Sequence, residues 1–290
     1  MDLLPFTLVI VSAVSHAVWN YIAKDEEKKE VFMVLINLSS LILFLPVYFI
    51  LLKVFTLPME VLGYLLISGL AETLYFVALG KAYQTGDLSV VYPLARSSPM
   101  FLTIIAVLFL KEMITGWGLA GIAIILLGVY ILHMKRLSFK DLSLPLTSLR
   151  EPSSIFAITA AIGTTIYSVM DKLGVTIVNP LLYSFWLGFF DTGMLMILSL
   201  KISGLEAFKG IPRKSIVRSS VAGALMRGGY ILVLIAMSMA QVSYIISLRQ
   251  VSVVIGALFG VILLKESYGR IRVLSSVIIF IGVYILGVLA

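Results

Sequence analysis

The chain has no cysteine and only two histidines, His16 and His133. The first absence removes disulfides, thiolate metal sites and thiol catalysis together. The second leaves too few imidazoles for a histidine-built metal centre. Charge is scarce as well: 13% of the 290 residues are charged, against about a quarter in soluble domains. The sequence also lacks a G-x-x-x-x-G-K-[ST] loop, an H-E-x-x-H pair and an aspartate-rich prenyl-transferase motif, so ATP-driven pumping and the familiar intramembrane chemistries have no residues to carry them. No metal or cofactor is expected.

Apolar side chain fills the space these absences leave. Hydrophobic residues make up 60% of the chain, and the mean hydropathy is +1.09. A soluble globule of this length has too much surface to hide so much apolar material. The composition is that of an integral membrane protein, with the lipid bilayer as its principal surroundings. The net charge of +7 does not indicate nucleic acid, because most Lys and Arg stand in short gaps between apolar runs, where they anchor and orient membrane helices. The opening "MDLLPFTLV" lacks a basic n-region and is expected to be a retained first helix.

Ten apolar runs are each about long enough to cross the hydrocarbon as a helix. They lie near 4–23, 31–52, 59–80, 88–110, 116–134, 154–175, 180–200, 215–239, 242–264 and 272–289. Uniform hydrophobicity, without alternation, argues against barrel strands. The gaps after the odd-numbered spans hold sixteen Lys and Arg, while the other side holds only Lys53, Lys111 and Lys172. The positive-inside rule then places the basic side in the cytoplasm of a multi-pass cell-membrane protein, with both termini outside. The polar, basic stretch 137–152 reads as a cytoplasmic linker between two units, 1–136 and 153–290, and "EPSS" (151–154) suits the start of a helix.

Those two units are copies. "GVYIL" occurs at 128–132 and at 282–286, and a shift of 154 lays Ala82–Leu132 on Ala236–Leu286 with 15 identities in 51 positions, among them "LKE" at 110–112 and 264–266. The starts of the halves align with a shift of 148, which sets Trp19 on Tyr167, Asn20 on Ser168 and Lys24 on Lys172. Five spans per copy is an odd number, so the second copy enters the membrane from the opposite side. The expected fold is all-α: ten transmembrane helices in two inverted five-helix repeats. Such repeats place a site at the midplane between them and permit alternating access.

Several polar side chains fall within spans: His16, Asn20, Glu72, Arg96, Asp191, Arg227 and Arg249, with Asp171 near the end of span 6. An ionisable group at a helix centre costs at least about 2.5–3.5 kcal/mol on insertion scales, so it faces protein or water. Either the acids neutralise arginines as structural glue, or the groups line a pathway. Three arginines against two deep acids leave positive charge over for an anionic or zwitterionic ligand. Arg96 and Arg249 lie in repeat-related spans one residue out of register. Pro93 and Pro99 bracket Arg96 and are expected to kink helix 4, whereas helix 9 has no proline and is expected to be straighter. Trp19, Tyr75, Tyr92, Tyr167 and Tyr230 join the polar residues as candidate substrate contacts. Glu72, Asp171, Asp191 and His16 are candidates for proton coupling. "GLAG" (118–121) suits close helix packing. Tyr130 and Tyr284 read as interface anchors, beside a surface where a homodimer could form.

The stretches "AYQTGDLSVVYPLARSSPMFLTIIAVLFLKE" (82–112) and "QVSYIISLRQVSVVIGALFGVILLKE" (241–266) resemble the EamA branch of the drug/metabolite transporter superfamily. Pro99 and Glu112 match residues the family favours, and Val253 stands where a second proline would be. The start, "SHAVWNYIAK" (15–24), is similar to an H-A-x-W-N-x-x-x-K pattern in members associated with phosphonate use. The resemblance implies a ten-helix exporter or importer of small metabolites, its cavity lined mainly by helices 1, 3, 4, 6, 8 and 9. A secondary transporter is the leading reading, a channel or structural membrane protein the alternative, and an intramembrane enzyme the least supported.

Overall fold

The computed structural model describes residues 1–24, 26, 29–132, 134, 138–264 and 270–290. Among these residues the chain is helical throughout, with no strand. The first half comprises α1 (Leu3–Lys24), α2 (Lys29–Val54), α3 (Met59–Thr85), α4 (Leu88–Ala95), α5 (Ser98–Phe109) and α6 (Gly116–Leu132). After α7 (Phe139–Thr147), the second half comprises α8 (Pro152–Ile177), α9 (Pro180–Ser203), α10 (Arg213–Met239), α11 (Val242–Leu248), α12 (Val251–Leu264) and α13 (Arg270–Tyr284). Helices are what such apolar runs must form, because hydrocarbon offers no partner to an unpaired backbone N–H or C=O. The half-helices α4 and α5 together make the fourth span, and α11 and α12 the ninth.

The repeat is visible element by element. α3 and α10 are both 27 residues long, with starts and ends displaced by 154, and each follows a proline, Pro58 and Pro212. Helix contacts come in exchanged pairs: α3 packs on α8 as α10 packs on α1, α10 on α2 as α3 on α9, and α5 on α8 as α12 on α1. The contacts of α2 with α9 and of α6 with α13 map onto themselves, so they lie on the pseudo-two-fold axis. This is the two-repeat membrane fold expected from the odd number of spans.

Small residues set how closely these helices approach. At the axis, a methyl on Gly282 would sit 2.9 Å from the Gly121 carbonyl oxygen, and one on Gly128 would sit 3.0 Å from the Ile279 nitrogen. Backbone therefore meets backbone between α6 and α13, which gives the "GLAG" glycine its packing role. On α8, Ala157, Ala160, Ala161, Gly163 and Ser168 are buried, and Gly163 lies against the Ala71 carbonyl of α3.

Two expectations need correction. The fourth span is not one kinked helix: it breaks between α4 and α5 at Arg96 and Ser97. The ninth span is not straighter but also breaks, at Arg249 and Gln250, with no proline present. Its cause is local. The Ser247 hydroxyl donates back to the Ser243 carbonyl at 2.7 Å, and the Gln250 N–H turns to the Ser247 carbonyl at 3.1 Å, tightening the chain at the end of α11. The stretch read as a linker carries α7. Ser138 caps that helix by accepting from the Asp141 N–H at 3.1 Å, and Leu144 packs against a buried cluster that includes Val90, Val91 and Leu94 of α4 and Ala157 of α8. His133 and residues 265–266 of the second "LKE" lie outside the described residues.

The axial contact gives a direct test. Gly282→Ala drives a methyl into backbone and is expected to lower stability by about 1–3 kcal/mol, read as a fall in the thermal unfolding midpoint in detergent. Gly63→Ala, with nothing within 4 Å of the added carbon, should leave the midpoint unchanged or raise it. Equal effects at the two positions would contradict the packing account.

Candidate functional site

The two breaks face each other inside the bundle. The Gln250 side-chain amide donates to the Arg96 carbonyl oxygen at 3.3 Å, so one break satisfies a backbone group freed by the other. Around this junction lies a cavity of about 1530 Å³, larger than the roughly 300–1,000 Å³ of most small-molecule sites. Its wall includes residues of α1, α3, the α4–α5 break, α8, α10 and the α11–α12 break, the six spans that the family resemblance implies. Met33 and Asn37 of α2 and Asp191 and Leu195 of α9 also contribute.

Despite the one-residue mismatch, Arg96 and Arg249 occupy corresponding places at the two breaks. α4 has eight residues and α11 seven, so each arginine directly follows the last residue of its half-helix. Both guanidinium groups lie over tyrosine rings, Arg96 over Tyr92 and Arg249 over Tyr230, each 5.4 Å from the ring centroid. Arg227 is held by neutral acceptors instead: the Asn37 Oδ1 at 3.5 Å, the Ser40 hydroxyl at 3.4 Å and the Ser184 carbonyl at 3.3 Å. Glu72 and Asp191 are within hydrogen-bonding reach of one another. Among the described residues no ion pair joins these arginines to Glu72, Asp171 or Asp191. The deep charges are thus not glued in ion pairs.

His16, Trp19, Asn20, Glu72, Tyr75, Tyr92, Arg96, Tyr167, Asp191, Arg227, Tyr230 and Arg249 all contribute to the cavity wall. The rings of His16 and Trp19 meet edge-on at 5.3 Å, and those of Tyr75 and Tyr167 at 6.2 Å. Asp171 is not on the wall. It is fully buried behind it, bonded to hydroxyls of Ser68, Tyr183 and Tyr230. Sequence reasoning missed Ser68, Tyr183, Asn37, Ser40 and Gln250. Their only signal was a hydroxyl or amide in an otherwise apolar run.

Among the described residues the cavity reaches the basic face. Wall residues near helix ends, such as Ala23, Met33, Tyr83, Met134, Phe259 and Arg270, all belong to the basic side. The opposite face is interlocked. There the Glu112 carboxylate accepts from the Val242 N–H at 2.6 Å, the Ser243 N–H at 3.3 Å and the Ser243 hydroxyl at 2.6 Å, capping α11. Lys111, in the left-handed region at φ 53°, closes the end of α5 with the Glu112 N–H on the Ala106 carbonyl, which aims Glu112 across the gap. The Gln241 amide donates to the Met113 carbonyl at 2.8 Å, and Lys172 donates to the Met237 and Ala240 carbonyls at 2.5 and 2.9 Å.

Comparison with known proteins agrees with this architecture. The chain is similar over 129 residues, at 28% identity, to an uncharacterized protein of Methanocaldococcus jannaschii, a match covering 44% of this chain and 94% of the relative. That relative is about as long as one repeat. A solved crystal structure superposes with a TM-score of 0.72 over 99% of this chain and 98% of its own, at 15% identity, which speaks to the fold alone. A family model, the EamA-like transporter family, matches residues 3–134 and again 152–288. Matched over nearly its whole length, once per half, the chain belongs to the EamA-like transporter family, the membrane transporters of the drug/metabolite transporter superfamily.

Proposed function

We propose that the protein is a secondary active transporter that carries a small anionic or zwitterionic metabolite by alternating access, with the anionic group held by Arg96 and Arg249. A carboxylate, phosphonate or phosphate fits the planar fork of a guanidinium, which can make two parallel bonds where a lysine offers a point charge. The observation that carries the reading is the pair of arginines at the two helix breaks, on the cavity wall and without a carboxylate partner among the described residues. The second half-helices add to it. α5 and α12 start at Ser98 and Val251, beside the cavity, and helix N-termini favour anions. Broken helices of this kind are a common way for transporters to bind charged substrates at the midplane.

Closure of one face favours a carrier over a channel, because the cavity has a mouth on the basic side and the Glu112 interlock across the other. On the positive-inside assignment the interlocked face is the outer one and the cavity opens to the cytoplasm. Alternation then requires the Glu112 cap to release while the mouth closes.

Two measurements test the reading. Arg96→Ala and Arg249→Ala should each weaken anion binding by more than tenfold, since losing one member of a buried charged hydrogen bond costs about 2–5 kcal/mol. Arg96→Lys and Arg249→Lys, which keep the charge but lose the planar fork, should weaken binding while the thermal unfolding midpoint stays near wild type. Normal binding in both alanine variants, or a preferred ligand that is uncharged or purely cationic, would sink the clamp. The second measurement uses the absence of native cysteine. Ile246→Cys puts a thiol on the cavity wall, and an impermeant thiol reagent applied from the Glu112 face should label it slowly. Adding Glu112→Ala should raise that labelling by about 3- to 30-fold, the effect of losing a helix cap. Unchanged labelling in a folded variant would exclude Glu112 as the closure.

A further inference from the structure

Asp171 poses a question that the cavity does not answer. It is fully buried on α8, yet it is not on the cavity wall and has no basic partner among the described residues. Its surroundings are three hydroxyls from three helices. Ser68 of α3 donates to Oδ1 at 2.6 Å, Tyr183 of α9 donates to Oδ1 at 2.9 Å, and Tyr230 of α10 donates to Oδ2. An ionised carboxylate is acceptor-only and suits three converging O–H donors; an amide would turn an NH₂ group toward one of them. One of the three hydroxyls belongs to a ring that also serves the cavity, since the face of Tyr230 carries the Arg249 guanidinium.

Resting on the reading of Arg249 as an anion-binding group, we infer that Asp171 is a positioning residue for Arg249, acting through Tyr230: it locks the tyrosine hydroxyl, and the locked ring fixes the guanidinium at the cavity. The ring under Arg96 is a different one: Tyr92, four residues back on the same half-helix. Arg249 is supported from α10, a different element, through a bond that also ties α3, α8 and α9. The placement of Arg249 is thus set by the scaffold, through Asp171.

The test compares Asp171→Asn, Tyr230→Phe and the double variant in the full-length protein in nanodiscs. Tyr230→Phe keeps the ring and removes only the anchor, so it serves where Asp171→Asn folds poorly. The first readout needs no ligand: the rate at which phenylglyoxal modifies Arg249 and Arg96, resolved by peptide mass spectrometry. Arg249 should react about tenfold faster in each single variant, the change expected for losing a hydrogen bond to a charged group. The double variant should be no faster, because both changes break one link, and Arg96 should stay at its wild-type rate. Binding of inorganic phosphate and of succinate should fall in parallel. Arg249 reactivity unchanged in either single variant would overturn the inference, as would Arg96 and Arg249 rising together, which marks general loosening. If Arg249 alone responds while neither anion binds the wild-type protein, the positioning role stands and the anionic-substrate reading fails.

Discussion

The hydrogen bond from the Gln250 amide to the Arg96 carbonyl is small, but the constraint behind it organises the molecule. Hydrocarbon cannot solvate a free backbone group, so a membrane helix can be interrupted only where protein or trapped water takes over the lost bonds. Here both interruptions lie in the interior and one serves the other. Every surrounding contact keeps them there: α3 on α8 and α10 on α1 wall in the junction, while α6 with α13 closes the bundle along the axis. The same interruptions place two arginines and two helix starts on one cavity, so the element that lipid forbids is also the element that can bind.

Charge follows the same logic. Deep cations paired with deep acids would be a neutral, rigid core. Instead the acids meet each other or hydroxyls, Arg227 rests on amide, hydroxyl and carbonyl oxygens, and Arg96 and Arg249 rest on tyrosine faces. A cation over an aromatic ring keeps its N–H donors at the edge, free for a ligand. The face opposite the mouth uses backbone amides of α11 for the Glu112 carboxylate, and such a cap contributes only about a kilocalorie per mole. In the proposed alternating-access cycle, closure of that order would be firm enough to occlude and weak enough to reverse.

Much of this was legible in the sequence. Span number and repeat parity gave the inverted architecture, because hydrophobic length and odd counting need no tertiary information. The polar residues of the cavity were legible too, since a charge within an apolar run has few other places to go. What could not be read was determined by contacts between distant segments. In sequence Asp171 is one of four candidates for proton coupling, and nothing there shows that Ser68, Tyr183 and Tyr230, drawn from three other helices, bond to it behind the wall. The break in the ninth span had no proline to announce it; a serine bonded to its own helix and a tightened turn produce it. The apparent misregister of the arginines arose from counting residues along helices assumed continuous. With α11 one residue shorter than α4, each arginine follows the end of its own half-helix.

The central claim is that one anion site between the two breaks is exposed to the two faces in turn. Counterflow in proteoliposomes tests it most directly: vesicles loaded with an unlabelled anion that binds the purified protein are diluted into the same anion carrying a trace of label. The account predicts saturable uptake of label that is faster with internal load than without it, because a loaded site returns more readily than an empty one. Uptake that rises linearly with concentration and ignores the internal load would indicate a pore, and would contradict the account.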